Sequence, residues 1–386
     1  MNIQTPYYLI HKDRLDILIS ELESALNKYW INHITGYSIK TNSLPWIVRY
    51  MMEKGFYAEA VSGDEYRLAK KTGFGNRIIY NGPVKSKETV LEAVETGCVV
   101  NIDSKRELRW LMEAGRPFRI GVRVNFDMEG KCPGETQCGE EGGRFGFCYE
   151  NGEFERVIKM ISSSNLALSG IHIHCSSRTR SINIYRTIAQ MCCEIKEAYF
   201  LDLDYVDIGG GFFGGVEGKP TFENYFYEIT NILEKSFSRE RTILMVEPGI
   251  CLVGEPIDYV SSVVDVKDTA YNRFVVTDAS RTAIDPFFTK NNYKLNVEYT
   301  DNNRKVCPRQ VICGYTCIEN DRLHTMHDAC ELKEGDRIIY NRAGAYTMCL
   351  SPLFIELFPP VYVLDRGMIT EIRKRWTVDD YLNGGS

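Results

Sequence analysis

Apolar residues change their spacing repeatedly along residues 33–250, and the change predicts strands that alternate with helices. Short runs rich in β-branched and aromatic residues predict eight buried strands. These runs are residues 36–40, 56–61, 77–81, 99–103, 119–125, 169–174, 205–210 and 243–247. Apolar residues at helical spacing lie between them, at residues 64–72, 87–96, 104–114, 154–163 and 184–199, and an amphipathic helix at 13–30 comes first.

Eight similar strand–helix units in succession predict an α/β fold, a closed (β/α)₈ or TIM barrel over residues 12–250. An open doubly wound sheet is the alternative, but the succession of similar units favours closure. After residue 250 the helical intervals disappear, and short β-rich runs occur at residues 260–267, 273–277, 309–313, 336–341 and 360–364. With the extended start of the chain, they predict an antiparallel, β-barrel-like second domain made of residues 1–11 and 251–386.

One long interval interrupts the regular pattern. Residues 126–146 are rich in glycine and acidic side chains and carry no strong apolar periodicity. Such a segment is typical of a disordered surface loop, and long loops also serve as lids over active sites. Both interpretations stay open from the sequence.

Polar residues end all eight predicted strands. They are Lys40, Glu59, Asn81, Asp103, Arg123, His174, Gly209 and Glu247. Any one of them is compatible with a solvated rim, but active sites of parallel barrels lie at the carboxyl ends of the strands. Lys40 is the most informative, because a lysine directed inward from a strand end is costly unless it is paired or bonded to a ligand. The set therefore predicts an active site on this face.

Composition excludes several classes of function. The chain has 386 residues and a formal net charge of −6, which gives no electrostatic attraction for nucleic acid or an anionic membrane. No apolar stretch reaches spanning length, and the first residues carry no secretory pattern. Thirteen cysteines without CxxC pairs indicate reduced thiols in the cytoplasm and argue against a zinc site.

Two motifs narrow the chemistry of the strand ends. His172-Ile173-His174 places both imidazoles on one strand face, and because it falls on the sixth strand we favour stacking or hydrogen bonding over a metal, of which we expect none. The glycines of 207–211 form a loop that suits a phosphate, although three glycines alone are a weak signal. A lysine, a phosphate loop, an imidazole and a carboxylate are what pyridoxal 5′-phosphate needs: Lys40 forms the Schiff base and Glu247 keeps the ring nitrogen protonated.

At this point the chain resembles a known family, the fold-type III pyridoxal-phosphate decarboxylases, which include the diaminopimelate and ornithine enzymes. The resemblance covers nearly the whole chain and is carried by residues 37–42, 59–62, 81–85, 101–104 and 144–146. It implies that His174 stacks on the cofactor ring and that Cys317, entering from the partner subunit of a homodimer, returns a proton to the product. The implied cofactor site comprises Lys40, Glu59, Arg123, His174, Ser177, Gly209, Gly210, Gly211, Glu247, Gly249 and Tyr346.

The chain also departs from the family pattern. Ile250 stands where the family has an arginine after Glu-Pro-Gly, and Ile318 replaces the acidic residue that reads a distal amine. Asp285-Pro286 replaces an Arg-Pro pair that grips a carboxylate, and residues 354–357 replace Phe-Asn-Gly-Phe. These departures fit neither ornithine nor diaminopimelate comfortably.

The substrate expected from these departures is an amino acid or amino-acid conjugate with an acidic or carrier-linked tail, of the kind used in siderophore or antibiotic pathways. The arginines Arg178, Arg180, Arg281 and Arg342 would bind that tail. Asp285 and Glu319 favour the alternative, a free basic amino acid such as L- or D-lysine, ornithine or diaminopimelate. The predicted substrate site is Arg178, Asp285, Ile318, Glu319 and Arg342. Two alternatives remain. One is a racemase of the same barrel type, in which we expect an arginine rather than a carboxylate at the ring nitrogen, and the other is a regulatory homologue without activity.

Overall fold

The computed structural model describes residues 3–290 and 293–384. The chain divides into two compact units. One is Leu18–Cys251, and the other joins Met1–Ile17 to Leu252–Ser386. The first unit contains the strand–helix repeat, and the second unit contains the β-rich remainder.

Strands and helices are numbered here in chain order. The strands are β1 Tyr7–His11, β2 His33–Ser38, β3 Tyr57–Ala60, β4 Ile78–Tyr80, β5 Val99–Ile102, β6 Arg119–Asn125, β7 Phe147–Cys148, β8 Ala167–His172, β9 Tyr205–Asp207, β10 Ile243–Val246, β11 Ile257–Asp268, β12 Arg273–Thr277, β13 Leu295–Glu298, β14 Val306–Cys313, β15 Arg322–Cys330, β16 Arg337–Tyr340, β17 Val361–Asp365 and β18 Met368–Arg373. The helices are α1 Lys12–Tyr29, α2 Pro45–Glu53, α3 Gly63–Thr72, α4 Lys87–Glu95, α5 Lys105–Glu113, α6 Met128–Lys131, α7 Glu153–Ser162, α8 Ile182–Ala198, α9 Phe222–Leu233, α10 Ile250–Val253, α11 Arg281–Ile284 and α12 Val378–Gly384.

The first unit is a closed parallel barrel of eight strands. They pair in the order β2-β3-β4-β5-β6-β8-β9-β10, and β10 pairs with β2 to close the ring. The short strand β7 pairs with β6 outside the ring. The predicted α/β barrel is therefore confirmed. Ile79, Tyr205 and Met245 form a buried cluster, against which Ile34, Tyr57, Val99 and Ile243 pack.

Serine and threonine side chains cap the starts of several helices that follow barrel strands. Ser62, Ser86 and Ser104 each accept a hydrogen bond from the backbone N–H three residues on, at the starts of α3, α4 and α5. Ser181 and Thr221 cap α8 and α9 in the same way. Each such cap contributes about 1 kcal/mol. Because the eight strands of the ring run parallel, the polar residues that end them lie at one face of the barrel.

The 126–146 segment is folded against the barrel unit's own chain. Glu135 accepts hydrogen bonds from the hydroxyls of Thr179 and Ser181 and from the amide of Asn183, and Thr136 pairs with Ser177. These contacts join the segment to the connection between β8 and α8. The structure therefore describes a folded segment here, and not the disordered loop that its composition suggested.

The second unit is built on a mixed sheet. Its strands follow the path β15-β14-β12-β11-β1-β17-β18, and β16 pairs with β11 and β13. The expected antiparallel domain needs one correction, because the pairs β1–β17 and β12–β14 run parallel. The sequence also missed β13, β15 and β18, whose partly exposed residues lack a clear apolar alternation. No helix among residues 3–290 and 293–384 has the length and apolar character to cross a membrane.

Candidate active site

Lys40 lies two residues beyond the end of β2, not on the strand itself as predicted. β2 ends at Ser38, and Ile39–Thr41 form a 3₁₀ turn whose other two residues are buried. The Lys40 ammonium donates to Glu59 Oε2, which also accepts from the Ser38 hydroxyl. The Lys40 side chain is 36% exposed and that of Glu59 only 1%. The amine is therefore held by a buried carboxylate and still reachable.

Glu247 follows β10 and is 4% exposed. Asn81 Nδ2 donates to its Oε1, and His172 Nε2 lies 3.6 Å from its Oε2. Burial alone would raise the pKa of Glu247, but the nearby charges of His172 and Lys40 hold it well below its ordinary value. The carboxylate is therefore ionised. The Arg123 guanidinium pairs with Asp103 at 2.9 Å and forms no salt bridge with Glu247 among the described residues.

Asp207, at the end of β9, is the second carboxyl group beside Glu247. Burial and the negative charge of Glu247 raise the pKa of Asp207 well above its usual range, so it stays protonated. Ligand atoms of His172, Asp207 and Glu247 all lie within 4.8 Å of one another. The expectation that this site holds no metal stays a prediction.

The glycine loop after β9 packs directly on the histidine and on Glu247. Gly209 has a φ of +67°, and a Cβ there would lie 2.4 Å from His174 Nδ1. A Cβ on Gly210 would lie 1.9 Å from the Glu247 carbonyl oxygen. The Tyr185 hydroxyl donates to the Gly210 carbonyl at 3.1 Å, a support that the sequence did not indicate. Only glycine permits this approach, and the loop is held in place.

Gly249 and Gly211 complete the predicted glycines. A Cβ on Gly249 would lie 2.1 Å from Thr41 Oγ1, so the Glu-Pro-Gly turn packs on the turn that carries Lys40. Gly211 has a φ of +99° and lies beside the Tyr185 hydroxyl. The structure thus brings the lysine turn, the glycine loop and Glu247 together.

Ser177 and Arg178 lie on the connection between β8 and α8. The Ser177 hydroxyl accepts the backbone N–H groups of Thr179 at 3.1 Å and Arg180 at 2.8 Å. It also donates to the Glu135 carbonyl oxygen at 3.3 Å. The Arg178 side chain is exposed. Ser177 therefore shapes this turn, and its assignment to a phosphate stays a prediction.

A cavity of about 460 Å³ opens beside His174 within the barrel unit. Its apolar lining includes Val124, Phe126, Met128, Phe145 and Ile173. Its charged lining is Glu129, Glu141 and Arg144. The Thr136 hydroxyl and the Gly134 N–H donate to Glu129 and hold the pKa of its carboxyl below the usual value. The sequence signalled these residues only by the acidic composition of the 126–146 segment.

The remaining predicted residues belong to the second unit. Cys317, Ile318 and Glu319 are exposed on the loop between β14 and β15. Asp321 is 3% exposed and fastens that loop by accepting from the Thr316 hydroxyl at 2.6 Å and the Arg281 N–H at 2.8 Å. Tyr346 and Arg342 are half-buried with φ of 56° and 59°.

Asp285 and Arg281 lie inside the second unit and bind each other. Their side chains are 2% and 7% exposed, and Arg281 Nη2 donates to Asp285 Oδ2 at 2.8 Å. The Tyr293 hydroxyl and the backbone N–H of Lys290 donate to the same oxygen. These bonds occupy the Asp285 carboxylate, which corrects our assignment of it as a substrate ligand. Arg281 is likewise not a free positive charge.

The donor set of the barrel unit fits pyridoxal 5′-phosphate. Lys40 supplies an amine beside a buried carboxylate, Glu247 supplies an ionised carboxylate, and the glycine loop excludes any side chain from the space beside His174. His174 Nδ1 is buried and has no hydrogen-bond partner among residues 3–290 and 293–384. Burial and the charge of Arg123 lower the pKa of His174 to about 3, so its ring stays neutral, and its stacking on the cofactor stays a prediction.

The neutral His174 predicts a pH dependence of stability. Below about pH 6.5 the unfolded chain takes up a proton at this residue and the folded protein does not. Stability is therefore highest above that pH and falls as the pH decreases toward 3. Urea unfolding of the cofactor-free protein at pH 7.5 and pH 5 should show a loss that His174→Phe reduces, by up to about 2 kcal/mol. His327→Phe, an exposed histidine on β15, should not reduce it. Equal losses in wild type and His174→Phe would contradict the prediction.

Comparison with known proteins agrees with the geometry. Residues 16–254, more than half of the chain, match the family of pyridoxal-dependent decarboxylases over its pyridoxal binding domain. A probable chloroplastic diaminopimelate decarboxylase from Oryza sativa subsp. japonica is 28% identical over 396 residues, covering 98% of this chain and 79% of the relative.

Two solved structures share the fold. Diaminopimelate decarboxylase from M. jannaschii, in complex with L-lysine, has a TM-score of 0.86 at 22% identity and covers 99% of this chain and 92% of that one. Lysine/ornithine decarboxylase from Vibrio vulnificus, complexed with putrescine, has a TM-score of 0.76 at 20% identity and covers 94% and 95%. With the family match, the chain belongs to the pyridoxal-dependent decarboxylases and uses pyridoxal 5′-phosphate as its cofactor.

Proposed function

We propose that this enzyme decarboxylates a free basic amino acid, of the class of lysine, ornithine or diaminopimelate. The observation that carries the reaction is an accessible Lys40 paired with the buried carboxylate of Glu59, in the same site as the buried, ionised Glu247. An ionised carboxylate keeps a heterocyclic nitrogen protonated, which favours loss of CO₂. It also argues against a racemase, for which we expected an arginine at that position.

This substrate class is the alternative from the sequence, a free basic amino acid, and not the acidic-tailed conjugate expected from the departures. An acidic-tailed conjugate required several free arginines, but Arg281 is buried against Asp285. The cavity beside His174 instead presents two carboxylates, Glu129 and Glu141, against one guanidinium. An aliphatic chain with a distal amine suits such a lining. The relatives named for diaminopimelate, lysine and ornithine support the same alternative.

Each residue of the site has a distinct task in this proposal. When bound, the cofactor supplies an electron sink for the charge left on the α-carbon as CO₂ departs. Glu59 holds the proton on Lys40 Nζ and keeps that amine oriented. His174 offers a neutral aromatic face, and the Gly209–Gly211 loop with Ser177 offers backbone and hydroxyl donors to the phosphate.

Two further assignments come from the second unit. We propose Cys317 as the proton donor that acts from the partner subunit of a homodimer, because its thiol is exposed on a loop fastened by Asp321. Tyr346 is proposed as a phosphate ligand. All thirteen cysteines are free thiols, which supports the cytoplasm as the compartment.

A substrate screen tests the proposed function. Release of CO₂ should be fast with at least one of L- or D-lysine, ornithine, arginine or diaminopimelate, and slow with acidic amino-acid conjugates. Lys40→Ala should abolish it. Glu129→Gln should raise KM for the basic substrate several-fold with little change in kcat, because it removes uniform binding of the amine. Arg178→Ala and Arg342→Ala should leave turnover of that substrate unchanged. Preference for an acidic conjugate, lost in Arg178→Ala, would restore the rejected interpretation.

A complementation experiment tests the shared site. Lys40→Ala and Cys317→Ala proteins should each be inactive, and subunit exchange should restore about a quarter of wild-type activity, because half of the dimers are mixed and each has one intact site. Lys40→Ala mixed with Glu247→Ala is the matched control. Both residues belong to one barrel unit, so this mixture should stay inactive. No recovery in the first mixture after verified exchange would place Cys317 in its own chain's site.

A further inference from the structure

We propose that Asn81 is a positioning residue, whose amide bridges the two buried carboxylates of the site and is oriented by a hydrogen-bond relay across the barrel interior. The relay runs from Tyr205 through Asn101 to Asn81. The inference rests on the proposed function only in that Glu59 and Glu247 serve the cofactor. It does not depend on which amino acid is the substrate.

Asn81 follows β4 and is 2% exposed. Its Nδ2 donates to Glu59 Oε1 at 3.3 Å and to Glu247 Oε1. Glu59 lies on β3 and Glu247 follows β10. These two strands are the neighbours of β2, the strand that leads to Lys40, so the carboxylates lie on either side of it. One amide group thus bonds both Glu59, which holds Lys40, and Glu247, which is assigned to the ring nitrogen of the cofactor.

The direction of every hydrogen bond in the relay follows from the carboxylates. An ionised carboxylate only accepts, so the NH₂ group of Asn81 must face Glu59 and Glu247. Its Oδ1 then faces Asn101, whose Nδ2 donates at 2.9 Å. The Oδ1 of Asn101 consequently accepts from the Tyr205 hydroxyl, at 2.7 Å. The phenol fixes the amide orientations from the far end.

Two glycines make room for this relay. Tyr205 lies on β9 and Asn101 on β5, with β8 and β6 between them in the ring. A Cβ on Gly170 of β8 would lie 2.4 Å from the Tyr205 ring. A Cβ on Gly121 of β6 would lie 2.0 Å from both the Tyr205 hydroxyl and Asn101 Oδ1. The tyrosine therefore crosses over two strands that lack side chains at the crossing.

The amide has a specific effect on the carboxylates. Hydrogen bonds donated to a carboxylate stabilise its ionised form, and an amide does so without adding a charge. The other titratable or charged groups around Glu247 include His172 on β8, His174 after β8, Asp207 on β9 and Lys40 after β2. Glu59 on β3 shares the Asn81 amide with Glu247. Loss of the amide should therefore let Glu247 protonate at a higher pH.

The test follows the visible absorbance of the holoenzyme as the pH is lowered. In Asn81→Leu the acid-side midpoint should rise by about one to two pH units, because a hydrogen bond to a charged group is lost. Tyr205→Phe, which removes only the end of the relay, should raise it by less. Tyr80→Phe is the matched control, since its buried hydroxyl bonds Thr89 outside the relay, and its midpoint should equal that of wild type.

Wild-type midpoints in folded Asn81→Leu and Tyr205→Phe, with circular dichroism unchanged, would overturn the proposal. If Asn81→Leu does not fold, Tyr205→Phe decides alone. Failure of the proposed substrate class would leave the wild-type absorbance intact and would be seen only in the screen. The two ideas can therefore fail separately.

Discussion

Burial of two carboxylates at the strand ends is the constraint on which the site depends. A buried negative charge is tolerated only where hydrogen bonds and opposite charge compensate its loss of water. Glu59 is compensated by Lys40 and Ser38, and Glu247 by His172 and Lys40, while the amide of Asn81 serves both. The protonation of Asp207 follows from the same constraint, since a third buried charge would be uncompensated.

Residues inside the barrel also help to satisfy this constraint. The carboxylates orient the Asn81 amide from one end and Asn101 with Tyr205 from the other, and Tyr205 fits only because Gly121 and Gly170 lack side chains. Polar groups inside a barrel are costly unless each has a partner. The relay provides those partners without a charged residue, so positions well below the catalytic face also contribute to the chemistry.

Much of the fold could be predicted from the sequence, because buried parallel strands and amphipathic helices leave strong apolar patterns. The strand-end residues followed from the same pattern. The strands β13, β15 and β18 could not be predicted, because half-exposed strands carry weak alternation. The burial of Arg281 against Asp285 was also invisible, since charge pairing inside a fold depends on contacts that spacing does not encode. The expectation of an acidic-tailed substrate counted Arg281 as a free arginine, and its pairing with Asp285 removes that support.

The central claim is that an ionised Glu247 makes this site a decarboxylation site. Glu247→Gln keeps the shape of the side chain and removes its charge. Release of CO₂ from the preferred basic amino acid should be measured in this variant after confirming full cofactor content and an unchanged circular dichroism spectrum. The account predicts a decrease in kcat of about 100-fold or more, whereas a wild-type rate of CO₂ release from folded, cofactor-loaded Glu247→Gln would contradict it.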